Sequence, residues 1–132
     1  MLARHISKTW FIGFSRFYVA EKAKIKNVKK YKMSDVSHWI YHPCWSEYYD
    51  GAECFLSIFQ VLHQQDKFKK HMTRIENSDI DFPLIVVEDK YDKYGSILDG
   101  NHRFAKMILL KKRNVNVIYF TEKELKKLRI RL

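Results

Sequence analysis

The stretch Ile97-Leu98-Asp99-Gly100-Asn101-His102-Arg103-Phe104-Ala105 constrains the fold of this chain more than any other. Ser96-Ile97-Leu98 reads as a strand, and Asp99-Gly100-Asn101 is a turn signal. Phe104 to Lys112 then carries Ala105, Ile108 and Leu109 at helical spacing. A strand therefore ends in a turn that opens a helix. The flanks extend the pattern. After Pro83, Leu84-Ile85-Val86-Val87 is a short apolar run bounded by turn residues, the signature of a buried strand. Asp89 to Tyr94 reads as a polar loop joining that strand to 96–98 as a hairpin. Val115 to Phe120 reads as a further strand. Thr121-Glu122-Lys123-Glu124 is a capping box that starts a last helix, 122–129, burying Leu125 and Leu128. This order predicts an α+β domain in which a small mixed sheet packs with helices.

The first half of the chain is less regular. Aromatic and β-branched residues over 9–20 predict one strand, or two short ones with a bend at Gly13. A strand is expected over 27–32. Ser34-Asp35 is a helix N-cap pair, so 36–41 is expected to be a short helix that stops before Pro43. Cys44 to Gly51 reads as loop. From Glu53, the apolar residues Phe55, Ile58, Phe59 and Leu62 fall at i, i+3, i+4 and i+7. That spacing predicts an amphipathic helix to about Lys70, with a second short helix over 68–75. Asn77-Ser78-Asp79 ends the helical region.

At 132 residues one domain is expected, and an apolar fraction of 46% suffices for a core. No apolar run is long enough to span a membrane, so no membrane partner is expected. The start lacks a secretory apolar segment, which places the protein in the cytoplasm, or in the host cytoplasm if it is viral. Cys44 and Cys54 are too few for a disulfide framework and are expected to be free thiols. The net charge of +10 is uneven. Residues 1–33 and 104–132 carry the basic excess, whereas 34–103 hold more acids than bases. Basic ends suit a polyanion such as nucleic acid. Lys22, Lys24, Lys26, Lys29, Lys30 and Lys32 are the candidate nucleic-acid contacts, interleaved upstream with Trp10, Phe11, Phe14 and Phe17. The same pattern also suits an edge strand guarded by lysines.

The turn at 99–103 carries the chemistry. Unpaired backbone N–H groups and the helix dipole favour an anion at a helix start. Gly100 removes the Cβ that would keep a ligand away. His102 and Arg103 add donors, and the planar guanidinium matches a phosphate. Gly100, Asn101, His102 and Arg103 are thus the candidate phosphate- or nucleotide-binding residues. Asp99 and His102 are the candidate catalytic ones, with Asp99 as a base or a ligand for a divalent cation. An Asp-Gly pair that only builds a turn is the competing reading.

At these residues the chain resembles the ParB/sulfiredoxin-like superfamily, which includes ParB N-terminal domains and phage and plasmid ParB-like proteins. The likeness rests on Asp99-Gly100-Asn101-His102-Arg103-Phe104-Ala105 in its strand–turn–helix context. It covers residues 82–132 well and 28–39 more loosely. It implies a compact ParB-like domain over 25–132, preceded by a basic, aromatic extension over 1–24. It also implies that the turn holds nucleotide phosphates, with Mg²⁺ accompanying a nucleoside triphosphate. Asn101 stands where sulfiredoxins have their cysteine, so sulfiredoxin activity is not expected. The chain has no room for the helix-turn-helix and dimerisation domains of full-length ParB proteins. If the site is catalytic, phosphoryl transfer or phosphodiester hydrolysis fits it. The alternatives are a non-catalytic DNA-binding accessory protein of phage or plasmid type, and an interaction module with an acidic partner.

Two further groups have weaker claims. Trp39, Tyr41, Trp45, Tyr48 and Tyr49 form either core or a platform on which a base could stack. His38, His42, Cys44 and Cys54 have spacings a metal could use, but Pro43 interrupts them, and no metal site is expected.

Overall fold

Four side chains of one strand, Val115, Val117, Ile118 and Phe120, are buried, and they point to both faces of the sheet. Such a strand must lie inside a sheet that is covered on both sides. The computed structural model, which describes residues 26–49 and 51–130, places it there. Along the chain, β1 is Lys29–Lys32, α1 Met33–Val36 with a 3-10 turn over Ser37–Tyr41, β2 Pro43–Tyr49 and β3 Ala52–Ser57. Then follow α2 Ile58–His63, α3 Lys69–Glu76, β4 Leu84–Asp89 and β5 Asp92–Asp99. The chain continues as α4 Asn101–Leu109, β6 Asn114–Phe120 and α5 Glu122–Ile130. The main sheet has four strands in the order β1-β6-β4-β5. β1 runs antiparallel to β6, β4 parallel to β6, and β5 antiparallel to β4. Leu84 pairs with Val117, and the parallel register holds to Val87 and Phe120. The fold is α+β with a mixed sheet, as the sequence predicts.

Two apolar layers follow from that register. Leu84, Val86, Ile97, Val115 and Val117 join Phe104, Ala105 and Met107 of α4 and Ile75 of α3 on one face. Ile85, Val87, Ile118 and Phe120 meet Leu125 of α5 on the other. Trp39 closes the first layer. It is 1% exposed, donates from Nε1 to the Gly95 carbonyl at 2.9 Å, and meets the edge of Phe104.

The C-terminal elements fall where the sequence places them. Thr121 Oγ1 accepts from the Glu124 amide at 3.1 Å, and Glu124 Oε1 accepts from the Thr121 amide at 2.9 Å. The capping box is complete. Lys26 also pairs with Glu124. Burial raises the Glu124 carboxyl, but the bonds from Lys26 and Thr121 outweigh it and hold the group below its ordinary range. Helix α4 starts at Asn101, earlier than its apolar spacing indicates, because polar residues fill its first turn.

Three expectations in the first half are corrected. Residues 43–49 are a strand rather than a loop, paired with β3 in a hairpin. Tyr49 pairs with Ala52, leaving Asp50-Gly51 as a two-residue turn, and Gly51 has φ +78°. An Asp-Gly pair is the standard sequence signal for such a hairpin. The long helix from Glu53 is instead β3 followed by a short α2. Ser57 divides them, since its hydroxyl accepts from the Gln60 amide and the Gln60 side chain returns to the Ser57 amide. Phe55 supplies one point of the helical spacing by coincidence. It belongs to the strand and is 54% exposed. The first helix begins at Met33, ahead of the Ser34-Asp35 pair, and its N-cap Lys32 makes no side-chain cap bond. The strands expected over 9–20, the extension over 1–24, and Lys22 and Lys24 lie outside the described residues.

Candidate functional site

The buried strand end Ile97 and the helix residue Phe104 are both core, so the chain between them must turn within a few residues. Gly100 makes that turn. It is the N-cap of α4 with φ +114°, a backbone state that side chains resist. A Cβ there would lie 2.7 Å from Leu84 Cδ2 and 2.9 Å from Arg103 Nη2. The missing methyl thus admits both the core below and the guanidinium beside it. No side chain caps this helix end, so helix geometry leaves the amides of its first turn without intrahelical partners.

Arg103 lies back over the turn. Its side chain is 21% exposed. Nη2 donates to the Pro83 carbonyl at 3.4 Å and stands 3.8 Å from Asp99 Oδ2, both long contacts. Its Nε is buried and has no hydrogen-bond partner among the described residues. A guanidinium has five donors, and this one is under-satisfied. Asp99, at the end of β5, is 44% exposed and borders the same turn.

His102 is turned the other way, into a stack of rings. Trp45 of β2 lies against His102 with centroids 4.5 Å apart and 22° between planes. It also lies against His71 of α3 at 4.5 Å and 20°. His71 Nδ1 and His102 Nε2 are 3.1 Å apart. His71 Nε2 is 3.3 Å from Glu47 Oε2. Burial, then His71 and Arg74, push the His102 imidazole down to about 4. Burial also lowers His71, against the pull of Glu47. Both rings are neutral at pH 7, so Arg103 is the charged side chain of the first turn and His102 takes part as a neutral hydrogen-bonding group.

The sequence brings Asp99 to Arg103 together by adjacency. It gives no hint of Glu47 or His71, which arrive from β2 and α3. Of the aromatic group, Trp45 reaches this cluster and Trp39 is core, whereas Tyr41 and Tyr48 are exposed. Of the candidate nucleic-acid contacts, Lys26 is held by Glu124 and lies over the Phe120 ring. Lys29 lies over Tyr119. Lys29, Lys30 and Lys32 are exposed on β1, an edge of the main sheet.

A second concavity of about 390 Å³ lies beside the β4–β5 turn, lined by Asp35, His38, His42, Asp89 and Asp92 among others. His38 Nε2 is 2.6 Å from Asp92 Oδ2, and the His38 and His42 rings are 5.9 Å apart. Cys44 and Cys54 are free thiols. Among the described residues no group of three or more His, Cys, Asp or Glu could hold a metal ion. No helix among them is long and apolar enough to cross a membrane. The chain matches no family model, no curated protein and no solved structure.

Proposed function

We propose that this chain is a nucleotide-binding domain that holds a phosphate-bearing ligand on the turn Gly100-Asn101-His102-Arg103. The observation that carries this reading is the state of Arg103. Its guanidinium is mostly buried beside a helix start, makes long contacts, and keeps an unpartnered Nε. Such a group gains most from an oxyanion, which can accept two parallel N–H bonds. The first-turn amides and the helix dipole add to the same attraction. Asp99 faces the same space, and with a triphosphate it would hold Mg²⁺ or accept a proton. The resemblance to ParB/sulfiredoxin-like domains points the same way and makes a nucleoside triphosphate the first ligand to test. Thermal shift against a panel of nucleotides, with and without Mg²⁺, tests it. A ligand at a hundred times its Kd stabilises by about 2.7 kcal/mol, which raises Tm by several degrees. Arg103→Ala is expected to abolish that rise. An equal rise in the variant would move the site elsewhere, and no rise for any nucleotide would end the reading.

A nucleic-acid role draws on a separate observation, the exposed lysines of edge strand β1. Backbone phosphates would meet Lys29, Lys30 and Lys32 there. Neutralising all three would then weaken DNA binding and flatten its salt dependence.

A further inference from the structure

The carboxylate of Glu47 determines the protonation pattern of two histidines. Glu47 Oε2 is buried, and its one near polar neighbour among the described residues is His71 Nε2, at 3.3 Å. An ionised carboxylate can only accept, so the His71 proton belongs on Nε2. A neutral His71 then offers a lone pair at Nδ1. That atom is 3.1 Å from His102 Nε2, which must donate to it. His102 therefore carries its proton on Nε2 and has a bare lone pair on Nδ1. Trp45 stacked on both rings fixes their planes. A base oriented by a second group, itself oriented by a carboxylate, is the arrangement that general-base chemistry uses.

We propose that Glu47, His71 and His102 form a relay in which His102 Nδ1 accepts a proton from water attacking a phosphate ester held at Gly100–Arg103. The proposal rests on the phosphate-binding reading of that turn and adds the reaction. The oxygen of water forms a bond to phosphorus while the bond from phosphorus to the leaving oxygen breaks. That electron pair departs on the leaving oxygen, and one proton of the water passes to His102 Nδ1. The imidazolium that forms keeps its Nε2–H bond to His71. His71 in turn keeps its Nε2–H directed at Glu47, so the new charge faces a lone pair backed by a carboxylate. Glu47 and His71 are positioning residues, and His102 is the proton acceptor. This relieves Asp99 of the role of base and leaves it beside Arg103. Facing His102 from the neighbouring elements are Glu47 of β2 and His71 and Arg74 of α3.

The test has an arm that needs no variant and no ligand. Nitrogen-15 NMR of the histidine rings in the full chain is expected to show Nε2–H tautomers for both His71 and His102. A proton on His102 Nδ1 would overturn the relay. The second arm measures hydrolysis of p-nitrophenyl phosphate and bis-p-nitrophenyl phosphate. His102→Asn is expected to lower kcat at least about 100-fold. Glu47→Gln, at a half-exposed position, is expected to lower kcat about tenfold with KM unchanged. It should also move the acid limb of the rate to lower pH, because the carboxylate no longer supports the imidazolium. A purely structural role for Glu47 would leave that limb in place and overturn the proposal. So would wild-type protein that shows no hydrolysis while inorganic phosphate still shifts the Gly100–Arg103 amides, and that result would leave the binding reading standing. Hydrolysis with no phosphate effect on those amides would instead overturn the binding reading and, with it, the placement of the base.

Discussion

At Gly100 one absent methyl group serves the fold and the candidate site together. Its positive φ makes the turn into α4, and its bare Cα leaves room for Leu84 and the Arg103 guanidinium. Gly100→Ala is therefore expected to cost about 1–3 kcal/mol from backbone strain alone. It should also displace Arg103. A fall in Tm of several degrees, with loss of any phosphate effect, would be read in one thermal melt series. His102 makes a prediction about pH. Its folded value of about 4 lies below the ordinary 6.5, so between these values the unfolded chain binds more protons. Its stability contribution is complete above pH 6.5 and is lost as the pH falls toward 4. Urea midpoints at pH 7.5 and 5 should show the native protein weaker at the lower pH. His102→Asn should show a smaller difference between the two. Legibility in the sequence divides sharply at this scale. Asp99 to Arg103 are neighbours in the chain, so their convergence is visible before folding. Glu47 and His71 lie in segments with no local mark of chemistry, and only the packing of β2 and α3 against α4 brings them in.

Elements differ in how openly they declare themselves. Strands β4 and β6 are short apolar runs buried on both faces, and the capping box at Thr121 announces α5. Those signals are local and agree with the tertiary structure. The β2–β3 hairpin is hidden because Phe55, Ile58, Phe59 and Leu62 satisfy a helical period across a strand–helix junction. Two short punctuation marks override that period, the Asp50-Gly51 turn and the Ser57–Gln60 capping box. The box is worth about 1 kcal/mol, so Ser57→Ala should lower stability by that amount in chemical denaturation. The hairpin matters beyond its own pairing, because β2 carries both Trp45 and Glu47 to the histidines. Trp45→Ala removes a buried indole and should cost about 3–5 kcal/mol. It should also release the His71–His102 pair, visible as an upward movement of the His102 titration toward 6.5.

Across the whole molecule, charge and site are separate quantities. The basic excess of +10 resides toward the chain ends, whereas residues 34–103 are net acidic and contain the phosphate turn. The exposed lysines of β1 guard an open sheet edge, which is a sufficient reason for their presence. Nucleic-acid binding through them should therefore be steeply salt-dependent and indifferent to Arg103→Ala. Filter binding at two salt concentrations checks this. The central claim concerns the turn and not the bulk charge. The most direct measurement is an amide NMR titration of the full chain with inorganic phosphate at constant ionic strength, alongside the same titration of Arg103→Ala. Saturable shifts confined to Gly100–Arg103 and the Arg103 Nε–H, absent from the variant, are the expected result. Shifts that never saturate, or that appear unchanged in Arg103→Ala, would contradict a phosphate site at the start of α4.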